Sequence, residues 1–114
     1  MSLQIFNFFP HLYDMIAKGG YTYIMSNKLR TVLYIGVTSN LSARVYKHKT
    51  DTDSAFVARY KCFDIIYYEF HDRIESAILR EKQLKKWKRE WKEKMITAFN
   101  PQLLDLSEQV KDLV

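Results

Sequence analysis

The stretch "YTYIMSNKLRTVLYIG", Tyr21 to Gly36, decides the fold. Two runs rich in aromatic and β-branched residues flank a polar connection, the pattern of a β-hairpin. Strand one is read over 21–26 and strand two over 31–37. With Asn27 to Arg30 as the connection, Ser26 faces Thr31, Tyr23 faces Tyr34 and Tyr21 faces Gly36. Directly opposed residues share a face with Cβ atoms roughly 5 Å apart, so the two phenols converge. Gly36 has no side chain and leaves the end of that face open to an approaching group.

Beyond the hairpin, Ser39 or Asn40 is a candidate N-cap for a helix near 40–49. Arg44 and His48, four apart, share one face of it. A guanidinium binds phosphate in a planar, bidentate manner, and an imidazole moves protons near neutral pH. The segment "TDTDSAFVARYK" reads as a polar loop and one helical turn, and "CFDIIYYEF", 62–70, as the third strand. A long helix begins near Asp72, three residues before Glu75 in an acidic variant of the capping box, and runs toward Trp87 or Trp91. A shorter helix follows and stops before Pro101, because the residue before a proline is pushed out of the helical region. Leu103, Leu104 and Leu106 are expected to fold the tail back. This order gives a small α/β (α+β) domain, a three-stranded and at least partly antiparallel sheet flanked by helices. We divide the chain into an N-terminal appendage over 1–18, a domain over 19–106 and a tail over 107–114. A short helix is expected in the appendage, and Met15 is a candidate natural start.

Of the 114 residues 47% are hydrophobic, enough for one compact core. The lone Cys62 excludes an internal disulfide and fits a reducing compartment. No run approaches membrane-spanning length and the N-terminus lacks a basic leader, so a cytoplasmic protein without membrane association is expected. The net charge of +5 resides in one place, because residues 80–94 carry eight Lys or Arg against three Glu. A basic helix is the electrostatic footprint of a nucleic-acid binder, and also the mark of an ordinary solvated face.

Successive residues 100° apart gather Ile74, Ala77, Ile78, Leu84 and Trp91 on one apolar face, with Glu81 in its midst. Glu75 falls instead beside Lys82 and Lys86. A buried carboxylate costs several kcal/mol unless a cation or metal meets it. Glu81 is therefore either a functional acid or half of an ion pair, inward with Arg44 or outward with Lys85. Trp87 and Trp91 read as packing residues.

Together these residues resemble the GIY-YIG nuclease domain. "YTY", 21–23, stands at the first motif, with Tyr21 and Thr22 in place of its glycine and isoleucine, and "YIG", 34–36, matches the second. "YIGVTSNLSARVYKH" is similar to the family's strand, loop and helix with Arg44 and His48, "REKQLKKW" to its glutamate helix with Glu81, and "FNP" to its closing element with Asn100. The likeness spans roughly 20–106 and is closest to small stand-alone bacterial members, which resemble the nuclease module of the excision-repair endonuclease. It implies a metal-dependent DNA endonuclease, structure- or damage-directed as in repair, with Tyr23, Tyr34, Arg44, His48, Glu81 and Asn100 catalytic. Glu81 is the implied ligand of Mg²⁺ (or Mn²⁺), Tyr23, Tyr34 or His48 the base, and Asn100 an orienting group. Arg44, Lys82, Lys85, Lys86, Lys88 and Arg89 are the implied DNA contacts. The alternatives are a non-catalytic nucleic-acid-binding module using the basic helix 80–94 and a protein-interaction domain. The sequence leaves the oligomeric state open.

Overall fold

The computed structural model describes residues 19–50 and 55–113; the expected helix in the appendage, Met15 and residues 51–54 of the polar loop lie outside the described residues. Its sheet has the order β2-β1-β3 and is antiparallel throughout, with β1 (Gly20–Ser26) between β2 (Leu33–Thr38) and β3 (Asp64–His71). The helices are α1 (Leu41–Thr50), α2 (Ala55–Tyr60), α3 (Ile74–Lys86), α4 (Arg89–Phe99) and the single turn α5 (Ser107–Val110).

Alternation along β1 supplies two cores. Tyr21, Tyr23 and Met25 pack on one side with Leu41 and Val45 of α1, Ile65, and Val110 of α5. Ile24 faces the other side, with Ile35, Ile66, Leu84 of α3 and Ile96 of α4. The central strand is buried along its whole length, as expected when both faces of a sheet are covered.

The hairpin register differs from the sequence expectation. Ser26 pairs with Leu33, so Tyr23 lies opposite Gly36 and Met25 opposite Tyr34. The connection also takes in Thr31 and Val32, because Asn27 Oδ1 accepts both of their backbone N–H groups at 2.9 Å. Arg30 sits at φ 59°, and its guanidinium donates to Asn27 O, Asp64 Oδ2 and Leu103 O. Those bonds tie the turn to β3 and to the chain after α4. A slip of two residues preserves the face of every side chain, so both tyrosines still point the same way.

Other boundaries shift for local reasons. Asn40 is the cap of α1, its Oδ1 accepting the Ala43 N–H at 3.1 Å. Asp72 does not cap α3, because Arg73 holds the N-cap position without a side-chain cap bond. Glu75 pairs with Arg73 at 2.9 Å. The third strand starts two residues late because Lys61, at φ 56°, turns the chain after α2 and the Cys62 N–H returns to Val57 O. The basic stretch is two helices. Trp87 and Lys88 are both extended, and the Trp87 ring packs onto the core of Leu84 and Ile96. Trp91 consequently leaves the α3 stripe and is 50% exposed. In the tail Leu103 and Leu106 pack inward, whereas Leu104 is exposed. Asp105 holds that segment by accepting from the Ile65 N–H, Ser107 and Lys49. Burial pushes its carboxyl up, and the bonds from Ser107, Lys49 and Ile65 outweigh this, leaving it below the usual range.

Candidate active site

Gly36 explains the position of Tyr23. A Cβ at residue 36 would stand 2.5 Å from Tyr23 Oη and 2.6 Å from its Cζ, so the phenol lies across the bare strand. The opening that the sequence suggested for an incoming group is filled by the protein's own tyrosine. Tyr23 is 2% exposed, and its Oη lies 3.3 Å from Nε2 of the buried His48. The imidazole also packs edge-on against Tyr34, with ring centroids 5.8 Å apart. Thus Arg44 and His48 of α1 serve different levels of the site. Arg44 lines the cavity, while His48 stands behind Tyr23 and is not part of the lining.

The glutamate arrives from the opposite side of the sheet. Thr22 Oγ1 donates to Ala77 O at 2.8 Å in a buried bond, pinning the α3 turn that immediately precedes Glu81. The residue that replaces the first motif's isoleucine therefore anchors the glutamate helix to the central strand. No sequence pattern signals this role, since Thr22 lies 55 positions away from Ala77. Glu81 is not submerged in the apolar stripe. Its side chain is 21% exposed, and Oε1 meets Lys85 Nζ at 3.2 Å. Ile74, Ala77 and Leu84 carry the buried stripe, and Glu81 emerges at its margin.

These groups meet in a cavity of about 460 Å³ that straddles the outer edge of β2. Tyr23, Tyr34, Arg44 and Phe56 enter from one face of the sheet, and Glu81, Lys85 and Lys92 from the other. Among the implied site residues, Tyr23, Tyr34, Arg44 and Glu81 come together, with His48 in the next layer. Phe56 and Lys92 were missed. Phe56 lies on a helix of only six residues, too short to show a period. Lys92 sits beyond an α3–α4 break that no Gly or Pro announces.

Asn100 stands outside the lining. It is buried, its Nδ2 donates to Ile66 O and Leu104 O, and its Oδ1 accepts the Leu104 N–H. The pairing of β1 with β3 is interrupted at Ile24/Met25, leaving Ile66 without a partner in that register. Asn100 supplies the donor that such a bulge removes. Of the implied DNA contacts, Arg44 and Lys85 reach the cavity, whereas Lys82, Lys86 and Lys88 are exposed elsewhere. Lys88 covers the Trp91 ring at 5.7 Å, and Arg89 is engaged with Glu93 and Arg30 O.

The described residues contain no cluster of three His, Cys, Asp or Glu that could cage a metal. The donor set nevertheless suits Mg²⁺, which keeps several waters and is commonly held by one or two carboxylates together with substrate phosphate. Glu81 offers a hard oxygen on the cavity wall, paired with a Lys85 side chain that is itself 54% exposed. No helix of the described residues is long and apolar enough to cross a membrane.

No curated protein and no solved structure matches the chain. The family model described as GIY-YIG catalytic domain matches residues 19–94, from the start of the sheet to the middle of α4.

Proposed function

The chain belongs to the GIY-YIG catalytic domain family and is a nuclease, a phosphodiester hydrolase acting on DNA, and from that premise we propose a divalent-metal-dependent endonuclease directed by DNA structure or damage. The observation that carries this reading is the meeting of Tyr23, Arg44 and Glu81 around one cavity from two faces of the sheet.

Arg44 would clamp the non-bridging oxygens of the scissile phosphate, as a planar guanidinium does. Lys85 and Lys92 add positive charge to the same wall. Tyr23 is the phenol within hydrogen-bond distance of His48, so it is the base of choice. Its Oη accepts a proton from the attacking water while its own proton passes to His48 Nε2. Water oxygen bonds to phosphorus, the bond to the leaving oxygen breaks, and that oxygen takes a proton from bulk water, while His48 returns the one it received to solvent through Tyr23. For this Nε2 must accept, which places the imidazole proton on Nδ1. Tyr34 packs against the imidazole and holds its plane. Glu81 would hold Mg²⁺ or Mn²⁺, which supplies charge stabilisation at the phosphate and leaving oxygen. Asn100 secures β3 and the chain after α4, and so acts as a positioning residue.

The test is nicking of flapped, branched and blunt DNA with Mg²⁺ or Mn²⁺. Cleavage near strand junctions, lost in Glu81→Gln, is the expected result. Equal cleavage by Glu81→Gln, or metal-independent cleavage, would overturn the reading.

A further inference from the structure

We propose that the rings of α2 extend the cavity into a track for one unpaired DNA strand, ending in a cleft that receives an unstacked base. Phe56 and Tyr60, four apart on α2, are 41% and 39% exposed. Phe56 forms part of the hydrolytic cavity and lies 5.6 Å, centroid to centroid, from Tyr34; the Phe56 and Tyr60 rings are 4.7 Å apart. Tyr60 in turn lines a second, mainly apolar cleft of about 430 Å³ with Leu29 and Phe63. Leu29, at the hairpin tip, is 81% exposed. An unbroken row of rings thus leads from the scissile-phosphate position to a slot large enough for a nucleobase. Contiguous exposed apolar surface of this kind marks a binding site.

Charge identifies the occupant. Lys28 and Lys61 line the cleft, and the Arg59 guanidinium lies 5.4 Å from the Tyr60 ring centroid. The one acid in the lining, Asp64, is engaged by Arg30 at 2.8 Å and Lys49 at 3.6 Å. Aromatic platforms flanked by cations are how proteins hold single-stranded nucleic acid, because every base offers a π-face once it leaves the duplex. A blunt duplex keeps its bases stacked and cannot use the row. The inference rests on the nuclease reading of the cavity and specifies its substrate as DNA with an unpaired strand beside the cut.

The test is fluorescence anisotropy in chelator, without cleavage, using a labelled oligothymidylate of about ten nucleotides and a blunt hairpin duplex. Tyr60→Leu and Phe56→Leu keep apolar bulk and remove the ring. Each is expected to weaken single-strand binding about tenfold, with the duplex affinity of Tyr60→Leu moving less than twofold and Tyr60→Phe behaving as wild type. Circular dichroism verifies folding of each variant. Unchanged single-strand binding in Tyr60→Leu, or equal losses on both DNAs, would overturn the track. So would a dimer that Leu29→Ala dissociates, since a second copy would then fill the cleft. Cleavage, read separately, keeps the two readings apart. Ring-dependent binding without cleavage defeats the hydrolytic reading alone, and cleavage with ring-independent binding defeats the track alone.

Discussion

Glu69 and Glu81 have almost the same side-chain exposure, 20% and 21%, yet they are held in opposite ways. Glu69, on β3, accepts from the Tyr67 phenol, from His71 Nε2 at 2.8 Å and from Arg80 Nε at 2.9 Å. Burial raises its pKa, but those hydrogen bonds and the Arg80 charge outweigh it, and the carboxyl lies below its ordinary value. Glu81 meets one lysine that is more than half exposed. Partial burial therefore does not tell a tied acid from one proposed to work. What separates them is the number and rigidity of the donors. Three donors hold the Glu69 carboxylate in place, whereas Glu81 can exchange an exposed ammonium for another cation.

The sharpest way to break this contrast is to neutralise each acid. Glu81→Gln should lower the single-turnover cleavage rate on the order of a thousandfold, the several kcal/mol of charge stabilisation a metal site provides. Its unfolding free energy should change by less than about 1 kcal/mol, as for a partly exposed ion pair. Next in size, Tyr23→Phe keeps the packed ring, and its rate should fall by about a hundredfold or more, the usual range for a lost general base. Gly36→Ala tests the same phenol through its bed. The added methyl must displace the Tyr23 ring, so the rate should drop about a hundredfold and denaturant unfolding should show a loss of about 1–3 kcal/mol.

Smaller effects belong to the structural acid. Glu69→Gln should cost about 1–3 kcal/mol in a urea titration by disturbing bonds to charged donors, while the rate with saturating DNA stays within about twofold of wild type. The sign of its pH dependence follows from its lowered pKa. A carboxylate depressed on folding stabilises fully above its unfolded value and loses that contribution as pH falls through the folded value. The melting temperature should thus hold steady down to about pH 4.5, the ordinary value for Glu69, and fall below it. Glu69→Gln should flatten part of that fall.

Much of this contrast was written in the chain. The hairpin was legible because its tyrosines and branched residues alternate, and a register error of two leaves every face intact. Glu81 stood out against the α3 stripe for the same periodic reason. What escaped depended on distant partners. Asn27 lengthens the turn through its side chain, Thr22 grips a carbonyl 55 residues away, and Asn100 fills a gap in a β-ladder. Trp87 ends α3 with neither Pro nor Gly, its extended backbone setting the ring against the core. Asn100 shows this dependence most clearly. Its place in a motif implied an orienting role, and its contacts tie Ile66 to Leu104 outside the cavity lining.

The most direct check is anomalous diffraction from crystals soaked in Mn²⁺ with an uncleavable phosphorothioate DNA. One manganese peak is expected, bonded to Glu81 between the phosphate and the Tyr23 side of the cavity, with Lys85 swung away and Glu69 unchanged. A peak at any other carboxylate, or Glu81 still paired with Lys85 beside an occupied phosphate, would contradict it.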